Sequence, residues 1–508
     1  MVSAYFIGID VGTQGVRVVL MDQTGGLCAS KQTQLALTEN SRREQDPEGW
    51  WEATLQGLAA VIQDVRHNQE VIRNLKAISV TSTSGTVLPL DERHQPLHPA
   101  IMYSDDRSRE VGLRCRAIAK QYQPHGFHGF NASSGLAKMV WFVEHFPQKA
   151  HRIAHWAHAT DFIIGRLSGV WGITDQTNAL KSGFDLENSC WPGYLTERLP
   201  LKPSWLPQVK LSGQKVGVIS QETALAIGLP AATDIMVAAG MTDGCASQVA
   251  AGAVQPGSWN TTIGTTLVIK GVTTSPVQDP EDRLYNHLHP EGYWMPGGAS
   301  NTGADWVSTF FKNQPLESLS RKAAQLLPTR KTVYPLLKTG ERFPFKAPQA
   351  EGFGLEELKK TSTAPQQNEL ESGQRAMLLA AGMEGVAFIE KMAFELTNRL
   401  SGERINRVYT AGGGSSSATW LQIRSAVLGV PVCKMENVTG AAGAAIIAAS
   451  NSYYHNLTEA VSAMTRPAAE HTPDPQLTKA YQEPYRNFVQ TLIQKGYIST
   501  KDYPLAAN

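Results

Sequence analysis

Four short stretches carry residue types and spacings that suit phosphate chemistry. "IGIDVGTQGVRVVLMD", from Ile7 to Asp22, sets Asp10 inside an apolar run and follows it with the turn Gly12-Thr13-Gln14-Gly15. "TTIGTTLVI" repeats the pattern at Gly264-Thr265, and "AGGGSSS" places Gly412, Gly413, Gly414 and Ser415 between a strand-like run and a helical one. A Gly-Thr turn aims backbone N–H groups and a hydroxyl at one spot, which suits a phosphate oxygen. Either copy alone reads equally well as a hairpin chosen for its turn geometry; three small-residue turns together point to a polyphosphate. The fourth stretch, "GMTDG", offers Asp243 just before an Ala-rich segment. There an acid is an ordinary N-cap, and it is also an ionised group able to accept a hydroxyl proton during phosphoryl transfer. On this reading Asp10 stands near magnesium and the phosphates, and Asp243 near the accepting hydroxyl. "MYSDDRS" brings Asp105, Asp106 and Arg107 together, and taken alone it reads as an exposed charged turn. No GxxxxGK[ST] motif is present, so the phosphate site is not a P-loop.

These residues need strands and helix starts to hold them. "YFIGIDVG" and "VRVVLMD" predict a β-hairpin across the Gly12–Gly15 turn. Asp46 as N-cap and Pro47 at the first helical position predict a helix, with Trp51, Leu55, Leu58, Ile62 and Val65 repeating on its apolar face. "LKAISVTS" (Leu75 to Ser82) and "TVLPLD" read as strands on either side of a small-residue turn. "DIMVAAGMTDG" and "GSWNTTIGTTLVIKGV" echo the first strand and hairpin, which suggests two related domains, 1–244 and 245–508. The stretch from Asn313 to Gly373, with "FPFKAPQAEGF" and "KKTSTAPQQNELESGQ", reads as a surface loop or lid. A long helix follows from Arg375 to Leu400, then strand, glycine turn, helix and strand through "RVYTAGGGSSSATWLQIRSAVLGVPV". "TGAAGAAIIAAS" predicts a tightly packed helix.

The bulk numbers set limits on function. The 508 residues are about twice the size at which single cores stop growing, and 42% hydrophobic with 18% charged residues is an ordinary globular balance. Lys plus Arg (46) against Asp plus Glu (45) leaves a net charge of +1, which supplies no field for nucleic acid or an anionic membrane. Five scattered cysteines without CxxC spacing indicate neither a disulfide framework nor a zinc site. No apolar stretch reaches the roughly 20 residues that span a bilayer, and the chain opens on a strand without a leader pattern, so a cytoplasmic protein is expected.

Taken together, the motifs resemble the FGGY family of carbohydrate kinases over nearly the whole chain. "IGIDVGTQGVR" is similar to that family's first phosphate motif, "EQDPEGWW" to the segment before its first helix, and "KMVWFVEHFP" to its N-terminal signature. "DFIIGRLSGVWGITDQTNA" resembles its TDxxNA stretch, "GMTDG" the segment with the catalytic base, "TTIGTTLVI" the second phosphate motif and "AGGGSSSATWLQIRSAVLGVPV" the adenosine motif, with Ser416 where that motif often has Lys. The resemblance implies an α/β fold of two actin-like ATPase (ribonuclease-H-like) domains with a cleft between them, using ATP and Mg2+. It implies Asp243 as general base and Asp10 as the metal-side acid. Gly12, Thr13, Gln14, Gly264 and Thr265 would meet the phosphates, and Gly412, Gly413, Gly414 and Ser415 the nucleotide. At "TSTSG" (Thr81 to Gly85) the chain lacks the Arg-Glu of glycerol kinases and the Met-His-Gly of xylulose kinases, so hydroxyls of Thr83 and Ser84 would face the sugar beside Asp105. The expected acceptor is a ketopentose such as D-xylulose, with D-ribulose or another ketose or polyol as the alternative, and the class allows a homodimer. A non-catalytic, ATP-dependent sugar-binding protein of the same fold is the remaining rival, and the sugar-side segments favour an enzyme.

Overall fold

The structure, a computed structural model, describes residues 3–123, 127–312, 314–354, 369–501 and 503. Two compact units emerge: Met1–Val254 with Asn286–Trp294 and Asn437–Arg466, and Gln255–Tyr285 with Met295–Glu436 and Pro467–Asn508. The expected halves, 1–244 and 245–508, are each contiguous, whereas here the chain crosses between units several times. The reason is local to the first unit, where the helix Gly440–Ser450 packs on the strand Tyr5–Val11.

In the first unit the strands run in the order Leu27–Gln34, Gly15–Asp22, Tyr5–Val11, Leu75–Ser82, Met236–Ala238 and Lys215–Val218. Tyr5–Val11 and Gly15–Asp22 form the expected antiparallel hairpin, with Asp10 opposite Arg17. Leu75–Ser82 lies parallel on the other side of Tyr5–Val11, and the short strand Met241–Thr242 pairs parallel with its end. The second unit repeats this plan. Its order is Trp294–Ala299, Leu267–Gly271, Ser258–Ile263, Arg407–Ala411, Val432–Met435 and Pro467–His471, again with an antiparallel hairpin followed by two parallel strands. β-branched alternation around a Gly-Thr turn builds the same hairpin twice, and a parallel neighbour needs the helical crossover that each half then supplies.

The helix Pro47–Val65 starts where expected, with the Asp46 side chain accepting from Glu48 N–H. Of the predicted apolar face, Leu58, Ile62 and Val65 are buried; Trp50, Ala53, Gly57 and Val61 join them in the core, while Trp51 and Leu55 sit at its edge. Trp50 is drawn inward because its indole N–H donates to Gln45 at 2.8 Å. The long helix spans Glu369–Ser401 and is buried on every side from Leu378 to Glu390, so it is a central helix of the second core. "FPFKAPQAEGF" departs from the expected surface loop. Phe343, Phe345, Ala347 and Ala350 are buried in that same core, because irregular backbone can enter a core when its polar groups are met from within. Within "KKTSTAPQQNELESGQ", residues 359–368 lie outside the described residues. Among the described residues no helix is long and apolar enough to cross a membrane.

Candidate active site

In the first unit three parallel strands end together. Asp10 pairs in register with Thr81, Val11 with Ser82, and Ser82 in turn with Thr242. Asp10 and Asp243 are therefore carried two strand spacings apart, about 10 Å between backbones, at the carboxyl ends where α/β sheets bind ligands. Asp243 is the first residue of the helix Asp243–Ala250, and Thr242, not Asp243, holds the cap position. Its Oδ1 accepts from Gly244 N–H at 2.7 Å. Thr242 N–H is itself tied to Thr177 Oγ1 at 2.8 Å, and Thr177 donates to the buried Asp175, so the TDxxNA stretch fixes the start of the helix that carries Asp243. Burial, with the Asp243 charge behind it, pushes the Asp10 carboxyl up to about 6, against the opposing pull of Arg17.

The turn after Asp10 closes with Gly12 N–H donating to Gly15 O at 3.0 Å, and it is braced from outside. Gln45 Nε2 donates to Thr13 O at 2.9 Å and to Ser41 O at 3.1 Å, while the Trp50 indole holds Gln45 Oε1. Nothing in the sequence paired Gln45 with Thr13; the motif "EQDPEGWW" signalled only a helix start. Beside the turn lies a cavity of about 690 Å3, lined by Asp10, residues 12–15, Arg17, Gln32, Arg42, Tyr103 and Ser104.

On the expected sugar side, Thr83 Oγ1 is paired with Thr86 Oγ1 at 2.9 Å. Ser84 Oγ is buried without a hydrogen-bond partner among the described residues, an orphan that a ligand hydroxyl would satisfy. Gly85 has φ +89°, and a Cβ there would lie 2.2 Å from Ser133 O, so the backbone turns tightly under the 131–134 loop. Asp105 is not on an exposed charged turn: it is 1% exposed and closed in an ion pair with Arg107, which reaches on to Glu44 at 2.6 Å. Its carboxylate thus anchors the segment instead of facing outward.

In the second unit, Gly264 N–H donates to Thr266 O at 3.0 Å and Gly264 O accepts from Ala304 N–H at 2.7 Å, leaving Thr265 exposed at the tip. Gly412 and Gly414 pack against Ile263, the residue just before that turn, so the glycine turn and the second Gly-Thr turn are neighbours. Gly412 has φ +83°, a conformation that favours glycine. Gly412 and Gly413 are exposed, whereas Gly414 and Ser415 are buried, and Ser415 Oγ is spent on Gly412 O at 2.7 Å. Ser415 therefore shapes the turn. A Cβ at Gly264 or Gly413 would meet no heavy atom within 4 Å, so each turn has open room beside it. Glu341, buried in the segment expected at the surface, accepts from Ser300, Thr302 and Tyr334 hydroxyls and from Asn301 and Arg342 N–H groups. Thr302 O in turn accepts from Leu267 N–H, so this carboxylate steadies the strand that follows the Gly264-Thr265 turn.

No cluster of three or more His, Cys, Asp or Glu side chains suited to a metal occurs among the described residues. Asp10, beside the Gly12–Gly15 turn and its cavity, fits magnesium, which takes one or two protein carboxylates and leaves its other positions to water and phosphate oxygens.

The family model for the N-terminal domain of the FGGY family of carbohydrate kinases matches residues 5–250, and that for the C-terminal domain matches residues 259–452. A xylulose kinase of Bacillus subtilis strain 168 is 26% identical over 98% of this chain and 97% of its own length. A gluconokinase of the same strain is 23% identical over 99% and 98%. The crystal structure of a xylulose kinase from Rhodospirillum rubrum superposes with a TM-score of 0.81 at 24% identity, covering 97% of this chain and 99% of that one.

Proposed function

The chain belongs to the FGGY family of carbohydrate kinases, and from that premise we propose that it phosphorylates a hydroxyl of a ketopentose such as D-xylulose, with ATP as donor. The observation that carries the reading is the pair Asp10 and Asp243 at strand ends on either side of Leu75–Ser82, with the turn after Asp10 braced by Gln45. The xylulose kinases among its relatives support the ketopentose, and the fold class, two actin-like ATPase domains, suits the reaction.

In this reading each residue's work follows from its setting. Asp243, at a helix start whose partial positive charge favours the ionised form, accepts the proton of the attacking sugar hydroxyl. Asp10 would hold magnesium, which supplies charge neutralisation to the phosphate oxygens. Thr13 and the N–H groups of its turn meet phosphate oxygens in the first unit, and Gly264 with Thr265 do so in the second. Gly412 and Gly413, exposed and without side chains, let a nucleotide approach the backbone. Ser84 and Thr83 supply hydroxyls toward the sugar, held by the Gly85 turn. A cytoplasmic setting, where ATP and sugars are both present, fits this chemistry.

The test is ADP release coupled to sugar, run on D-xylulose, D-ribulose, D-gluconate and glycerol. The ketopentoses are expected to give the highest kcat/KM. Asp243→Asn should keep ATP affinity and lose about 10^3-fold in kcat, the size of a removed general base. Substantial turnover in that variant would refute the base assignment, and no sugar-stimulated ADP release from any acceptor would refute the kinase.

A further inference from the structure

The cavity beside the first phosphate turn is lined by two arginines but by only one acid, Asp10. Arg17 is accounted for: it faces Asp10 across the hairpin and donates to Gln32 at 2.7 Å. Arg42 is different. Its backbone is pinned, because Ser104 Oγ donates to Arg42 O, Gln45 ties the adjacent Ser41 O to Thr13 O, and Met102 N–H holds Arg43 O. Its guanidinium is exposed and makes no ion pair or hydrogen bond among the described residues. The nearest acid in sequence, Glu44, is engaged by Arg107 at 2.6 Å.

An uncommitted guanidinium carried on a pinned backbone, in a cavity with an excess of positive side chains, is a site for an anionic oxygen group, which its planar fork can take with two hydrogen bonds. We propose that Arg42 is a specificity-determining residue that reads such a group in this cavity. The group is either a carboxylate on the acceptor, as in a sugar acid, or a phosphoryl oxygen of donor or product. The inference deepens the kinase reading and rests on it for the meaning of the two sources, though binding of the anion itself can be measured without turnover.

Calorimetric titration of the whole protein with inorganic phosphate and with D-gluconate, on wild type, Arg42→Gln and Arg42→Lys, tests it. Arg42→Gln is expected to weaken at least one of the two anions about tenfold, the cost of a lost charge-assisted pair, and Arg42→Lys to recover part of it. Turnover then separates the sources. A carboxylate partner lowers the ratio of kcat/KM for D-gluconate over D-xylulose about tenfold, whereas a phosphoryl partner leaves that ratio alone and weakens phosphate. Unchanged binding of both anions in Arg42→Gln, or no measurable binding of either by wild type, overturns the proposal. If wild type turns over no sugar, the kinase reading fails while the phosphate titration still judges Arg42. Arg42 is exposed, and matched thermal unfolding of the three proteins checks that each folds.

Discussion

Asp10 is held between Asp243, whose charge opposes its ionisation, and Arg17, whose charge favours it, and burial settles the balance at about 6 against an ordinary 3.8. A carboxyl raised in the folded state binds its proton more tightly there than in the unfolded chain. The linked stability is therefore whole below about 3.8 and is lost as pH rises through about 6. Asp10→Asn should accordingly raise the melting temperature at about pH 7.5, and raise it less at about pH 5, while abolishing turnover. Equal gains at the two pH values would refute the shift. In wild type, kcat/KM at limiting magnesium should fall as pH drops below about 6, and added magnesium should move that limb lower because metal and proton compete for one carboxylate. Asp10, Gly12 and Thr13 were legible as candidates in the sequence because an acid in an apolar run and the turn after it are local signals. The roles of Gln45 and Arg42, and the reach of Arg107 to Glu44, were not, since each depends on a partner distant in sequence or on a cavity that only the fold creates.

The element that sets both acids is the helix Gly440–Ser450, all of whose residues are buried. Its glycines permit backbone approach: a Cβ on Gly440 would lie 2.6 Å from Asp10 Oδ2, and one on Gly443 would lie 2.0 Å from Ala246 O. On the facing strand, a Cβ on Gly8 would stand 1.8 Å from Ala441 O. Gly443→Ala therefore pushes against rigid backbone of the helix that carries Asp243. It is expected to cost about 1–3 kcal/mol in chemical denaturation and to lower kcat more than it raises KM for the sugar. Gly49→Ala, where a new Cβ meets nothing within 4 Å, should stay within about 1 kcal/mol of wild type. Equal behaviour of the two variants would sink the packing argument. "TGAAGAAIIAAS" was readable as a packed helix from its composition, yet small residues do not name the partner they admit. The misread "FPFKAPQAEGF" shows the converse: Pro, Gly and polar residues signal irregular backbone, and only the fold shows that backbone pairs of Ala347 with Glu341 and of Phe353 with Tyr334 satisfy it from inside.

At the scale of the whole chain, the paired Gly-Thr hairpins were enough to read a duplicated α/β architecture, because the hairpin with a parallel neighbour is what each copy encodes. The return of Asn437–Arg466 to the first unit was not readable, because hydrophobic pattern reports that a surface is buried and not which strand covers it. That return has a consequence for folding. Phe6 packs edge-on to Tyr453 with ring centroids 6.0 Å apart, and Ile446 and Ile447 are fully buried in the helix that covers the same strand. Burial of each such side chain contributes about 1.5–3 kcal/mol, and three of them match much of the roughly 5–15 kcal/mol margin of a domain. A fragment ending at Val254 should therefore show no cooperative melt and should bind a hydrophobic dye. The same fragment joined through a long Gly/Ser linker to residues 437–466 should regain a cooperative transition and near-ultraviolet circular dichroism. If the shorter fragment melts cooperatively at the temperature of the linked one, the segment does not complete the first core, and the discontinuous unit would have to be redrawn.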